Sequence, residues 1–365
     1  MPIINEPRVR AADGPAAEDV AQQAAVQERA GNWDAAAALY AQTFRSSLHE
    51  GLTERAADAL RGQARIRVQQ RRFDEAEELA DLSLELAQRH GLAQAAARAL
   101  NVLGTIHHSR QDWPRAEGYY GRALELALDM GDDELTGLTC QNLGVVASIR
   151  GDFREARSRF LECVGSFVRS GSTANAMLAY NNLGLASSDM REWMEAEVYF
   201  SRGIEIAERL HHLPSTGMLH SNLAEPLIQV GDVQRARESL DRAEAAAGHV
   251  GDRAVLSDVA RRRGILARTE GDLDDAEAHL QRALDVAGDP ELGVERALAL
   301  RELGEVRAAQ GRWEDAAATF RLSIALFRSR GAVADAGVAE RKLTELSARR
   351  VAVGGTIFHS GNEVP

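Results

Sequence analysis

Carboxamide side chains return along this chain at one fixed interval. Asn101, Gln141 with Asn142, Asn181 with Asn182, and Ser221 with Asn222 follow one another at steps of 40 residues. An amide offers a donor and an acceptor together, so it can pair with a peptide unit at a lower desolvation cost than a charge. That chemistry is recognition rather than bond breaking. The same amides can also serve internally, capping neighbouring loops or tying adjacent helices together. Arginines flank the row: Arg61, Arg65 and Arg98 precede it, and Arg261, Arg262, Arg268 and Arg301 follow it. Paired guanidinium groups favour carboxylates, although a charge on an exposed helix face is more often simply solvated.

Catalytic chemistry finds little support. His107 with His108 and His211 with His212 are the tight histidine pairs, and neighbours on a helix diverge by roughly 100° instead of converging on a metal. There is no zinc-protease helix motif, phosphate loop, nucleophile elbow or spaced cysteine pair. Of the 43 basic residues only Lys342 is a lysine, which leaves almost no source for a phosphate-loop or Schiff-base lysine. No catalytic residue, metal site or cofactor is therefore expected. A formal net charge of -12 argues against a general nucleic-acid binder, which needs clustered positive charge. The expected partner is a protein or peptide, with acidic segments the class that the arginines suit. The spacing is silent on oligomeric state.

The elements that must position these groups repeat with the same period. Trp33, Phe73, Trp113, Phe153, Trp193, Val233, Leu273 and Trp313 stand 40 apart, each followed three residues later by alanine (Ala36, Ala76, Ala116, Ala156, Ala196, Ala236, Ala276, Ala316). The residue before is often Asn or Asp (Asn32, Asp112, Asp152, Asp232, Asp272), which suits a tight turn and the cap of a second helix. A small residue marks the first helix of each unit (Ala24, Ala64, Gly104, Gly144, Gly184, Ala224, Gly264, Gly304). Glycine in a helix interior costs about 1 kcal/mol relative to alanine, so its repetition implies close contact. Tyr40, Tyr120, Phe160, Phe200, Leu240, Leu280 and Phe320 supply a knob from the second helix. Gly51, Gly91, Gly131, Gly171, Gly251 and Gly331 suit left-handed helix ends. His211 and Glu291 break that series, with Gly288, Asp289 and Pro290 as a substitute stop. Pro226 is expected to bend or shift the sixth unit.

The resulting organisation is a flexible leader over 1–14, a helical repeat array over 15–350 with turns at 31, 71, 111, 151, 191, 231, 271 and 311, and a tail over 351–365 that is either disordered or docked. A final helix from Ala332 to Arg350 caps the array. One elongated domain accounts for the length better than several globular ones. Cys140 and Cys163 fall at interior helix positions, so no disulfide framework is expected. No signal segment opens the chain and no run approaches the roughly 18 apolar residues of a membrane span; the expected location is the cytoplasm.

The recurrent alanines, the Leu-Gly pairs (Leu103 with Gly104, Leu143 with Gly144, Leu183 with Gly184, Leu303 with Gly304) and the aromatic turn residues together resemble the tetratricopeptide repeat. The resemblance implies an all-α fold, an α-solenoid in which eight antiparallel helix hairpins and a capping helix wind into a right-handed superhelix. The period exceeds the usual value of about 34, which resembles the long-repeat subgroup of kinesin light chains, LGN-type polarity adaptors and bacterial signalling regulators. Leu100, Cys140, Tyr180 and His220 stand where that family usually places an aromatic. The resemblance also implies that first helices line a concave groove, so the amides would meet an extended ligand at roughly every third residue. The family's carboxylate clamp needs lysines that are missing here, so binding of chaperone tails is not expected. The functional expectation is a non-catalytic scaffold or adaptor that holds a partner's peptide segment in the groove. The alternative is a regulatory sensor that changes superhelix shape on binding a signalling peptide or effector, against which stands the want of an effector domain or a leading helical bundle.

Overall fold

The computed structural model describes residues 17–359. The expected leader over 1–14 and the end of the tail, 360–365, lie outside the described residues. Within them the protein is all-α, an α-solenoid of seventeen helices with no strand.

The helices are α1 (Ala17–Arg29), α2 (Trp33–Glu50), α3 (Thr53–Gln69), α4 (Phe73–Arg89), α5 (Ala93–Ser109), α6 (Trp113–Met130), α7 (Asp133–Ile149), α8 (Phe153–Ser170) and α9 (Thr173–Asp189). They continue as α10 (Trp193–Arg209), α11 (Leu213–Val230), α12 (Val233–Val250), α13 (Arg253–Glu270), α14 (Leu273–Val286), α15 (Gly293–Ala309), α16 (Trp313–Ser329) and α17 (Val333–His359). They gather into two compact units, Met1–Ala147 with Gly165–Ser170, and Ser148–Val164 with Gly171–Pro365. Inside the first unit, α3 packs on α4 and on α5, and α5 on α6. Inside the second, α9 packs on α10, α11 on α12 and α13, and α13 on α14 and α15. Thus α3, α11 and α13 each meet both a hairpin mate and the next odd helix, and α9 touches α11 in the same way.

The eight alanines of the second helices are each 0% exposed, which explains why nothing larger recurs there. The glycines of the first helices have the complementary reason. A Cβ on Gly104 would lie 2.5 Å from the Tyr120 ring, and one on Gly184 would lie 2.5 Å from the Phe200 ring. The ring that fills this gap stabilises more than the roughly 1 kcal/mol that glycine costs a helix. Buried Leu100, Leu103 and Ile106 continue the core of the first unit, and Leu219, Leu223, Leu227 and Leu240 that of the second.

Caps and stops follow local chemistry with a few departures. The carboxylates of Asp112, Asp152, Asp232 and Asp272 accept from backbone N–H groups three residues on. Asn32 instead donates to Gln27 Oε1 at 2.7 Å and caps nothing. His211 takes the left-handed conformation of the glycine it replaces, with φ of 51°. In place of a glycine at 291, α14 stops at Val286, and Asp289 accepts from the Glu291 N–H at the head of a 3-10 turn, Pro290–Leu292. Pro226 is buried within α11, which the expected disturbance leaves as a single helix from Leu213 to Val230. At the other end α17 extends past Arg350 to His359. No helix of the described residues is long and apolar enough to cross a membrane.

Candidate functional site

The 40-residue register sets Arg61, Asn101, Gln141, Asn181, Ser221, Arg261 and Arg301 at one position of successive first helices. Backbone packing of odd helix on odd helix brings neighbouring members of this row together. Asn142 Nδ2 donates to Asn101 Oδ1 at 2.7 Å, and Asn222 Nδ2 donates to Asn181 Oδ1 at 2.9 Å. Asn101 also reaches Thr139 Oγ1 at 3.4 Å. These amides tie adjacent helices, the internal use of the two. Asn181 and Ser221 are buried, away from any ligand. Gln141 is half-buried. Asn182 is half-buried on α9 and takes no side-chain hydrogen bond among the described residues.

In the first unit Arg61, Arg65, Arg98, Asn101, Thr105, Asp132, Leu135 and Leu138 line a cleft of about 350 Å³. Arg65 holds Glu28 by a two-pronged contact, Nε to Oε1 at 2.9 Å and Nη2 to Oε2 at 2.7 Å, and Tyr40 donates to the same carboxylate at 2.6 Å. Burial, then Glu28, pushes the Tyr40 hydroxyl up to about 12. Arg61 is held by Asp58 at 2.8 Å. Its pKa is lowered, first by burial, with Asp58 opposing and the Arg65 and Arg98 charges assisting. Arg98 takes no ion pair among the described residues. Burial works against the charge of nearby Asp132, but bonds from Gln94 and the Leu135 N–H, with the field of Arg98, outweigh it and lower its pKa.

The second unit carries a cleft of about 530 Å³. Its walls come from α11, α13, α15 and α17 and from the turn after α9: Arg191, Glu225, Ile228, Arg261, Arg262, Ile265, Arg268, Leu298, Arg301, Glu302, Glu305, Val338 and Lys342 among them. Arg261 and Arg262, expected to face a ligand, are 8% and 6% exposed. Their charge is met from within. Arg262 Nε bonds Asp258 Oδ2 at 2.7 Å, Nη1 reaches Glu225 at 3.0 Å and Nη2 reaches Asn222 Oδ1 at 3.2 Å. Arg261 bonds the other oxygen of Asp258, and Ser221 donates to Asp258 at 2.6 Å. Burial alone would raise the Asp258 pKa, but Arg261 and Arg262 reverse it and hold the carboxyl far below the usual range.

Toward the cleft mouth the neutralisation is thinner. Arg268 at 3.3 Å and Arg301 at 3.2 Å share the one carboxylate of Glu302, with Asp335 a looser 3.6 Å from Arg301. Arg191 takes no ion pair among the described residues. Asp189, at the end of α9, is pushed up to about 6 by desolvation and then by the Glu225 and Asp335 charges.

Sequence reasoning missed the acids that consume most of the arginines. Asp58 with Arg61, and Asp258 with Arg261 and Arg262, sit at the three- and four-residue steps of an internal helix pair, and that spacing was the available signal. Arg191 was hidden as a turn residue. His107 is buried and stacks on Tyr119, His108 meets the edge of Trp113, and no group of three or more metal-ligating side chains forms among the described residues.

No curated protein sequence matches the chain. Among solved structures it is similar to BtubC from P. vanneervenii, at 20% identity over 66% of this chain and 94% of that one, with a TM-score of 0.54. It is also similar to a Rap protein complexed with competence and sporulation factor, at 16% identity over 90% and 99%, TM-score 0.56. A third is the STAND protein with a tetratricopeptide repeat sensor from Pyrococcus horikoshii, at 14% identity over 88% of this chain and 49% of that one, TM-score 0.64. At these identities the likeness shows the fold. Sequence models of the tetratricopeptide repeat match residues 21–90, 95–166, 177–211 and 254–329. With those models spread over both units, and each hairpin built on the same alanine and turn positions, the chain belongs to the tetratricopeptide repeat family.

Proposed function

We propose that the protein is a non-catalytic interaction scaffold that takes an acidic segment of a partner protein in the first-helix cleft of its second unit. The observation that carries this reading is the uneven neutralisation of that cleft. Arg261 and Arg262 belong to the frame, whereas Arg268 and Arg301 share Glu302, with Asp335 a looser 3.6 Å from Arg301, and Arg191 has no ion pair among the described residues. A carboxylate from outside completes this set at modest desolvation cost, because Arg191 is exposed and the Arg268 side chain is 32% open to water. Asn182 is the amide left to meet a segment's backbone. The smaller cleft around Arg98 offers the first unit the same chemistry. The buried thiols Cys140 and Cys163 suit a cytoplasmic setting.

A labelled oligoglutamate peptide tests the reading by fluorescence anisotropy. Binding is expected to weaken with salt and to fall about tenfold or more for the full chain carrying Arg191→Ser with Arg268→Gln. Equal affinity for a neutral peptide of the same length, or no effect of the double variant, would sink it.

A second reading, a sensor that rearranges on binding, draws support from the similar chains described as a repeat sensor and as a Rap protein in complex with competence and sporulation factor. It predicts a change in the small-angle scattering radius when the cleft is saturated; an unchanged curve leaves the static scaffold.

A further inference from the structure

The first-unit cleft takes its walls from α3, α5 and the start of α7. The carboxylate that holds its Arg65 comes from elsewhere: Glu28 lies in the last turn of α1, which supplies no lining residue among those described. This acid is particular to α1. The same register of the later first helices carries no other carboxylate, and in the second unit it carries Arg268.

While Glu28 is in place, Arg65 has little to offer a ligand. Its Nε and Nη2, the two-pronged edge by which a guanidinium receives an acid, both point at Glu28, at 2.9 and 2.7 Å. Arg61 is held in turn by Asp58 on its own helix. Arg98, half-buried and without an ion pair among the described residues, is the arginine of the three that stands ready.

The hold on Arg65 can be exchanged without disturbing the core. Glu28 lies one residue from the end of α1, with its side chain 21% and that of Arg65 35% open to water. The fastening of α1 is separate: Val20 and Ala24 are buried, and Ala24 packs with Ala36, Ala37, Tyr40 and Ile66. Replacing one carboxylate by another at Arg65 therefore costs little beyond the bond from Tyr40 to Glu28, and an acid that enters the cleft meets Arg98 as well. We infer that Glu28 is a built-in competitor for the first-unit cleft, and that an acidic segment of a partner enters by taking Arg65 from it, with Arg98 as the second hold. This rests on the reading that the clefts receive acidic segments.

Fluorescence anisotropy with a labelled oligoglutamate tests this on the full chain carrying Arg191→Ser with Arg268→Gln, which disables the second-unit cleft. Adding Glu28→Gln is expected to tighten binding about tenfold, and adding Arg98→Gln to that protein to remove the gain. Arg65→Gln in place of Glu28→Gln breaks the same pair but liberates no guanidinium, so it should bring no gain. Circular dichroism confirms that the variants keep their helices. Affinity unmoved by Glu28→Gln, or raised as much by Arg65→Gln, would overturn the inference alone, because the second-unit cleft stands or falls by its own double variant. Absence of oligoglutamate binding by every form would overturn the acidic-segment reading and this inference together.

Discussion

Asn222 donates to Asn181 across two successive first helices, and on its other side accepts from Arg262. The bond makes the amide row a seam of the stack. Asn222→Ala leaves Asn181 Oδ1 and an Arg262 N–H without partners and should cost about 2–3 kcal/mol; Asn181→Ala should cost about 1–2 kcal/mol. In a urea double-mutant cycle the two losses should fall short of additivity by about 1 kcal/mol. Simple additivity would mean that the amides do not hold the helices together.

Gly184→Ala tests whether the helix glycines exist for closeness. A Cβ there meets the Phe200 ring at 2.5 Å, so the substitution should destabilise by about 1–3 kcal/mol despite alanine's better helix propensity. Phe200→Leu in the same chain should restore part of the loss. Gly118, on α6, has open space where a Cβ would go, and Gly118→Ala should stabilise by about 0.5–1 kcal/mol. Equal effects at the two sites would refute the packing account.

The architecture was legible from residues such as Ala196 and Gly184 because each hairpin satisfies its packing with residues of its own repeat. Local periodicity carries that information. The candidate site was less legible for a reason visible at Asn181 and Arg262. Whether an amide or a guanidinium meets a ligand or a neighbour depends on side chains nearly 40 residues away, and the same residue types serve both ends. Asp258 was one helical turn from Arg261 and Arg262, the one local clue that those charges were already satisfied.

Asp258→Ala should be among the most damaging single changes, because it strands the Arg261 guanidinium, 8% exposed, and leaves Arg262, 6% exposed, with Glu225 as its one carboxylate. A loss of about 3–5 kcal/mol is expected in chemical unfolding. The pH dependence has a definite sign. The folded-state pKa of Asp258 is depressed, so its contribution is complete above the ordinary carboxylate range and disappears only as pH falls through the depressed value. A wild-type protein whose advantage over Asp258→Ala had vanished by pH 4 would contradict this placement.

Asp189 behaves in the opposite sense. Its folded-state pKa, about 6, lies above its unfolded one, so the folded chain takes up a proton between pH 7 and pH 5 that the unfolded chain does not. The penalty of its charge is present above pH 6 and relieved as pH falls. Because the residue stays exposed, solvent screening keeps the stability effect small, and the titration itself is the better readout. Carboxyl carbon chemical shifts should give a midpoint near 6 that drops in Glu225→Gln; a midpoint near 4 would remove the desolvated, like-charged setting.

Arg191 adopts φ of 60° at a place where five other hairpin turns use glycine. Left-handed backbone costs an L residue roughly 1 kcal/mol; Arg71 and Gln111 bear it at the same turn position, and Arg191 is the one of the three that lines the cleft of the second unit. The turn is a mounting point: it lies outside the packed alanine and glycine positions, so a residue exchanged there alters what the cleft presents without reaching the joints between helices. A stack built this way can be re-aimed at a new partner one turn at a time.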